Sequence, residues 1–208
     1  MNAIDAVYKR RAVKHFDPNH KMTEDEERKL LEATIQAPTS FNIQHWRFVI
    51  LRDPELRARI RKELGNDQAQ MTDASMLVLF TADVKAWQKE PERYWVNAPK
   101  EVSGLLVNWM GPFHEGREWL QRDEAQRSIG IAMQTLMLAA QDMGYRSCPM
   151  IGFDIEKVAE LVNLPDDHVM GPMVAIGRGT KEPWPKPGQL LLEELVVENG
   201  FSASSTTA

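Results

Sequence analysis

The chain has one cysteine in 208 residues, Cys148, so no disulfide can close within it, and a lone thiol gives no Cys/His framework for a metal. A reducing compartment is the simplest home for that composition. Positive charge is also in short supply: 25 Lys and Arg face 30 Asp and Glu, for a net charge of -5. General binding to nucleic acid or to an anionic membrane needs a broad positive field, so neither partner is expected and any anion site must be local. No run approaches the ~18 apolar residues that span a bilayer, and Met1-Asn2-Ala3-Ile4-Asp5 has no apolar segment of the secretory kind. These absences point to the cytoplasm. Also missing are a Gly-x-Ser-x-Gly elbow, a Gly-x-Gly-x-x-Gly turn and a Walker loop. The histidines at 15, 20, 45, 114 and 168 are scattered, so no metal is expected.

What is present is an ordinary globular balance, 43% hydrophobic and 26% charged, in a length that suits one domain. We expect that domain over residues 1–200, a helical excursion at about 83–125, and a flexible tail at 201–208. Ile4, Val7 and Tyr8 recur at helical spacing and deliver a basic run, Lys9-Arg10-Arg11-Ala12-Val13-Lys14, to the helix end. Thr23 and Glu26 form a capping box, and the helix they open stops before Pro38. Trp46–Leu51 reads as a strand, and Asp53 with Pro54 opens a helix that Gly65 ends. Met76–Phe80 is a continuous apolar run, the pattern of a strand covered on both faces.

Four of the six tryptophans crowd between Trp87 and Trp119 among charges and prolines, which reads as helical excursions over the core. Residues 127–143 make a helix with almost no polar face, which must be buried, by a second subunit or at the centre of a monomer. Asp154 caps a helix running to Asn163, Pro172–Gly177 is a strand, and Leu195–Val197 is expected as a last short one. The alternation gives an α/β layered arrangement without internal repeats.

Two stretches carry candidate chemistry. The cations Arg10, Arg11 and Lys14 either complement the dipole of their own helix or clamp a phosphate, which guanidinium groups bind in a fork. The loop Ala37-Pro38-Thr39-Ser40-Phe41-Asn42-Ile43-Gln44-His45-Trp46 is either an ordinary turn or a hydrogen-bonding cradle. Its amides suit the edge of a flavin or base, and its hydroxyls suit a ribityl chain.

At these two stretches the sequence resembles the nitroreductase family of FMN enzymes. The family pattern is a basic pair, a small residue and a nearby cation, followed by Ala-Pro-Ser/Thr-Ser-x-Asn-x-Gln-Pro-Trp. The likeness continues through Gln70–Ser75, the long apolar helix, Gly144–Pro149, Ile151–Asp154 and Ile176-Gly177-Arg178. It departs at Ala12, where the family often has Ser, and at His45, where it has Pro.

The resemblance implies an α+β nitroreductase-like fold in three α/β/α layers, with a central mixed sheet, as an obligate homodimer holding FMN at its interface. It implies that Arg10 and Arg11 hold the 5′-phosphate beside Ala12, and that Lys14 steadies negative charge on the pyrimidine end of the reduced ring. Thr39, Ser40 and Asn42, with Pro38 and Gln44 nearby, would come from the other subunit. Gln70 would face the pyrimidine edge, the backbone of Ile151 and Gly152 would donate to flavin N5 and O4, and Pro149 and Met150 would also bind the cofactor. Arg178 or Lys186 would add a phosphate contact.

The implied activity is ping-pong electron transfer from NADH or NADPH to a small acceptor such as a nitroaromatic, quinone or enone, with no catalytic side chain required. A sensor or carrier without turnover, and another flavin reaction such as dehalogenation or flavin destruction, are the alternatives.

Overall fold

The computed structural model describes residues 2–201; the expected tail, apart from Phe201, lies outside the described residues. Four strands form one sheet in the order β1-β2-β4-β3, with β1 at Trp46–Ile50, β2 at Met76–Asp83, β3 at Arg146–Met150 and β4 at His168–Gly177. All neighbouring strands pair antiparallel. The mixed character implied by the resemblance is reduced, among the described residues, to a single parallel bridge between Ala12 and Ser147.

β2 explains the layering. All eight of its residues are buried, and successive side chains go to opposite faces. Met76, Val78, Phe80 and Ala82 join one core with Leu30, Ile129, Ala132 and Leu136, under α2 (Glu24–Thr34) and α6 (Glu118–Asp142). Leu77 and Leu79 join a second core with Val13, Phe16, Ile60, Met71 and Val158, under α3 (Pro54–Arg59), α4 (Gln70–Asp73) and α7 (Ile155–Leu161). The arrangement is therefore the expected α/β/α sandwich. Its driving force is roughly 1.5–3 kcal/mol for each large apolar side chain taken fully out of water.

Local signals set the helix starts. Thr23 accepts from the Glu26 N–H at 3.2 Å while Glu26 reaches back to the Thr23 N–H at 2.9 Å, closing the capping box. Asp53 caps Pro54 by accepting from Glu55 N–H, and Asp154 caps α7 through Lys157 N–H. α1 (Ala3–Lys9) ends at the basic run, as its pattern predicts.

Four elements differ from the sequence reading. The long helix begins at Glu118, so residues 118–125 belong to α6 rather than to the excursion, which holds α5 (Lys100–His114). Only one face of α6 is covered by its own chain, and Ile131 remains 41% exposed. β3 was not anticipated, because Pro149 cannot donate to a ladder; as an edge strand it needs no donor on its outer side. β4 starts at His168, four residues before the predicted strand, because a bulge opposite Phe80 absorbs Gly171 and Pro172. The last strand is absent: Leu192–Leu195 is a helical turn, α8, followed by exposed Val196 and Val197. A strand needs a neighbour, and this arm finds none in its own chain.

Candidate functional site

The bridge between Ala12 and Ser147 organises the first half of the site. The Val13 N–H donates to Ser147 O at 3.0 Å, which ties the basic run after α1 to the edge strand β3. The C-terminal segment then folds over the same run, leaving a cavity of about 620 Å³ lined by residues 11–15 and 181–187. Arg11, Lys14, Lys181 and Lys186 face one carboxylate there, Glu182, in a chain whose overall charge is negative. This is a local gathering of positive charge of the kind the composition allowed.

The cations are not equivalent. Arg11 Nη1 donates to Tyr8 O at 2.6 Å and to Arg10 O at 2.9 Å, so it caps the end of α1. Arg10 Nε is buried and has no hydrogen-bond partner among the described residues. A buried guanidinium nitrogen without an acceptor is costly, and a phosphate oxygen would satisfy it. Lys186 Nζ lies 3.3 Å from Val7 O and 5.9 Å from the centre of the Tyr8 ring, beside α1, and lines the cavity. Neither Arg10 nor Arg178 lines the cavity, but Arg10 adjoins its lining residue Arg11 in the chain; Arg178 is exposed, its carbonyl accepts from Asp17 N–H, and its charge is felt at Tyr145.

At the end of β3, Ile151 and Gly152 are exposed. Gly152 O accepts from Gln68 Nε2 at 2.9 Å and Asn66 Nδ2 at 3.3 Å, which holds the turn after the strand. Neither amide belongs to a motif that the sequence presents. A side chain at position 152 would meet nothing in its own chain closer than Gln68 Nε2 at 3.5 Å, so no crowding within the chain requires glycine there. Pro149 and Met150 sit in the strand itself. Gln70 is buried rather than presented to the cavity: its amide nitrogen donates to Gln68 Oε1 at 3.0 Å and lies 3.9 Å from Cys148 Sγ. Burial pushes the Cys148 thiol up, with the Lys14 charge opposing.

The second half, residues 38–45, lies at the other edge of the sheet. It enters β1, at the same end of the sheet as the end of β3. Three strand spacings separate the two edges, about 14 Å. One chain therefore does not bring Thr39, Ser40 and Asn42 to Arg10. The loop is tightly wound, with Phe41, Asn42 and Gln44 all at left-handed φ values of 50–54°. Asn42 Nδ2 donates to Tyr94 O at 2.8 Å, Thr39 Oγ1 accepts from Gln44 N–H at 3.0 Å, and Gln44 Nε2 donates to Asn42 O at 3.2 Å. His45 is fully buried and joined to Ser128 of α6, and burial drops its pKa to about 4. Pro38 is exposed at the loop's start.

Against known proteins, the nitroreductase family pattern matches residues 7–178. The chain belongs to the nitroreductase family. It is 62% identical over 201 residues to protein DrgA of Synechocystis, covering 94% of this chain and 95% of that one. It is 30% identical to MhqN of Bacillus subtilis, provisionally named an NAD(P)H nitroreductase, over 85% of this chain and 88% of the relative. A nitroreductase-fold protein of Exiguobacterium sibiricum, solved in complex with FMN, superposes with a TM-score of 0.86 at 24% identity, over 95% of this chain and 97% of that one. Among the described residues of this family member, no helix is long and apolar enough to cross a membrane.

Proposed function

We propose that this nitroreductase binds FMN in the cavity beside Arg10 and, as a cytoplasmic homodimer, passes electrons from NADH or NADPH to a small oxidised acceptor. The observation that carries the reading is the meeting of residues 11–15, tied to β3, with the C-terminal segment 181–187, which sets four cations around a cavity of about 620 Å³; Arg10 Nε, next to it in the chain, has no partner among the described residues. The donor set fits a phosphate-bearing cofactor: forked and point cations for a dianion, and an exposed strand end at Ile151 and Gly152 for a ring edge.

FMN, when bound, would supply the two-electron chemistry that links the nicotinamide to the acceptor. The residues of the chain do the holding. Arg10 and Lys186 bind the phosphate, and Arg178 does not. Lys14 places a positive charge where the reduced ring carries negative charge. The backbone of residues 149–152 would hold the ring edge, and Gln70 would steady Gln68, which donates to Gly152 O. Because the loop at 38–44 stands at the opposite edge, its Thr39, Ser40 and Asn42 serve the cofactor of a partner subunit. The exposed Leu190, Leu191, Leu192 and Leu195 of the C-terminal arm, with the uncovered face of α6, supply the apolar surface of that dimer.

The test is to purify the protein, record its visible spectrum, and mix it anaerobically with NADH or NADPH and then with nitroaromatics, quinones and enones. A yellow protein that is bleached by nicotinamide and recovers with one acceptor class is expected. Material that stays colourless after incubation with FMN refutes the reading, and reoxidation by dioxygen alone would make it a carrier.

A further inference from the structure

The excursion between β2 and α6 closes over a small core of its own, built from Ile43, Ala86, Tyr94 and Met110, with Phe41, Trp87 and Trp95 packed against it. Two fully buried histidines belong to the same region. His114 stacks on Trp87, with ring centroids 5.4 Å apart and planes at 11°, and meets Phe41 at 5.8 Å. His45 is close enough to His114 for their charges to interact.

The carbonyl partner fixes the tautomer of His114, and the Ser128 hydroxyl sets that of His45. Ser128 Oγ lies 2.8 Å from Glu124 O, and with its one proton donated there it accepts from His45 Nδ1–H at 3.0 Å. Met110 O is a carbonyl and has no proton to give, so His114 Nδ1–H donates to it at 2.8 Å. Burial holds both rings neutral, which leaves a bare lone pair on each Nε2. Neither lone pair has a partner among the described residues, and neither do the buried indole N–H groups of Trp87 and Trp95.

Two acceptors and two donors are thus orphaned around one small apolar core. They cannot satisfy one another directly where Trp87 lies flat on His114, because an indole N–H points along its own plane and not into a stacked ring. A water molecule offers two donors and two acceptors, the complement of this set.

We propose that the excursion encloses a built site for ordered water, which donates to Nε2 of His45 and His114 and accepts from the indole N–H of Trp87 and Trp95. Such water makes the aromatic core a fully satisfied polar network rather than an oily plug. It also ties the excursion to the wound loop, because His45 follows that loop directly and Asn42 is held by Tyr94 O.

The experiment is NMR on the full chain labelled with ¹⁵N at histidine and at the tryptophan indoles, together with a crystal structure. Expected are ¹⁵N shifts that report protonated Nδ1 and bare Nε2 at both histidines, through-space transfer from water to the Trp87 and Trp95 indole protons, and water density between them. His114→Phe keeps the stack on Trp87 but removes one acceptor, and is expected to abolish the transfer to at least one indole. Dry density with no transfer in the parent overturns the proposal, as do a bound metal at the Nε2 atoms, Nε2-protonated tautomers, or a variant whose signals match the parent's. If His114→Phe does not fold, the parent measurements decide alone.

Discussion

Replacing Arg10 by alanine separates two cations that the sequence presents as a pair. Arg11 already spends its guanidinium on Tyr8 O and Arg10 O, whereas Arg10 Nε is buried with no acceptor among the described residues. A hydrogen bond to a charged partner contributes about 1.5–3 kcal/mol. At about 1.4 kcal/mol per tenfold, Arg10→Ala should weaken FMN binding roughly 10- to 150-fold. Arg11→Ala should weaken it less than about threefold, and its main effect should be on the end of α1, where a capping hydrogen bond contributes about 0.5–1.5 kcal/mol. The assay is titration of FMN into apoprotein, followed by quenching of flavin fluorescence. The ionic strength must be held fixed, since at about 0.15 M the field of an exposed cation is screened within about 8 Å. Equal losses in the two variants, or none in Arg10→Ala, would refute the argument from hydrogen-bond accounting.

Four other outcomes are expected. Lys14→Ala should leave FMN bound but change the rate at which nicotinamide bleaches it, read by anaerobic rapid mixing. His45 has a folded pKa of about 4 against 6.5 for the model group, so the unfolded chain binds more protons between those values and stability falls as pH drops through that window. The full effect is roughly 3 kcal/mol, and urea midpoints at pH 7 and pH 4.5 should show it shrink in His45→Gln. Gly171→Ala puts a Cβ 2.8 Å from Ile129 Cγ2 and 3.0 Å from Phe80 O, and the overpacking should cost about 1–3 kcal/mol in the same assay. Truncation after Gly188 removes the apolar arm and should turn the dimer into monomer in sedimentation, a result that a dimer held by α6 alone would contradict.

Much of the fold was legible because its signals are local. Thr23 with Glu26, Asp53 with Pro54, and Asp154 each satisfy helix N–H groups within three residues, so the chain text alone announces the helix start. The unbroken run at Met76–Phe80 announced a strand covered on both sides, since only that position hides every side chain. Family membership was equally legible, because the basic run and the Asn42 loop keep their residue types and order. Tertiary structure alone decided the rest. Pro149 became strand because its ladder partner is 25 residues away, at Val174, and the long helix reached back to Glu118, where Leu120 and Gln121 are buried. Which of two adjacent arginines keeps a free donor, and which end of the chain folds over it, depend on carbonyls and strands that no short window contains. Local hydrogen bonds are written in spacing, whereas the sharing of donors across the fold appears only once distant segments meet.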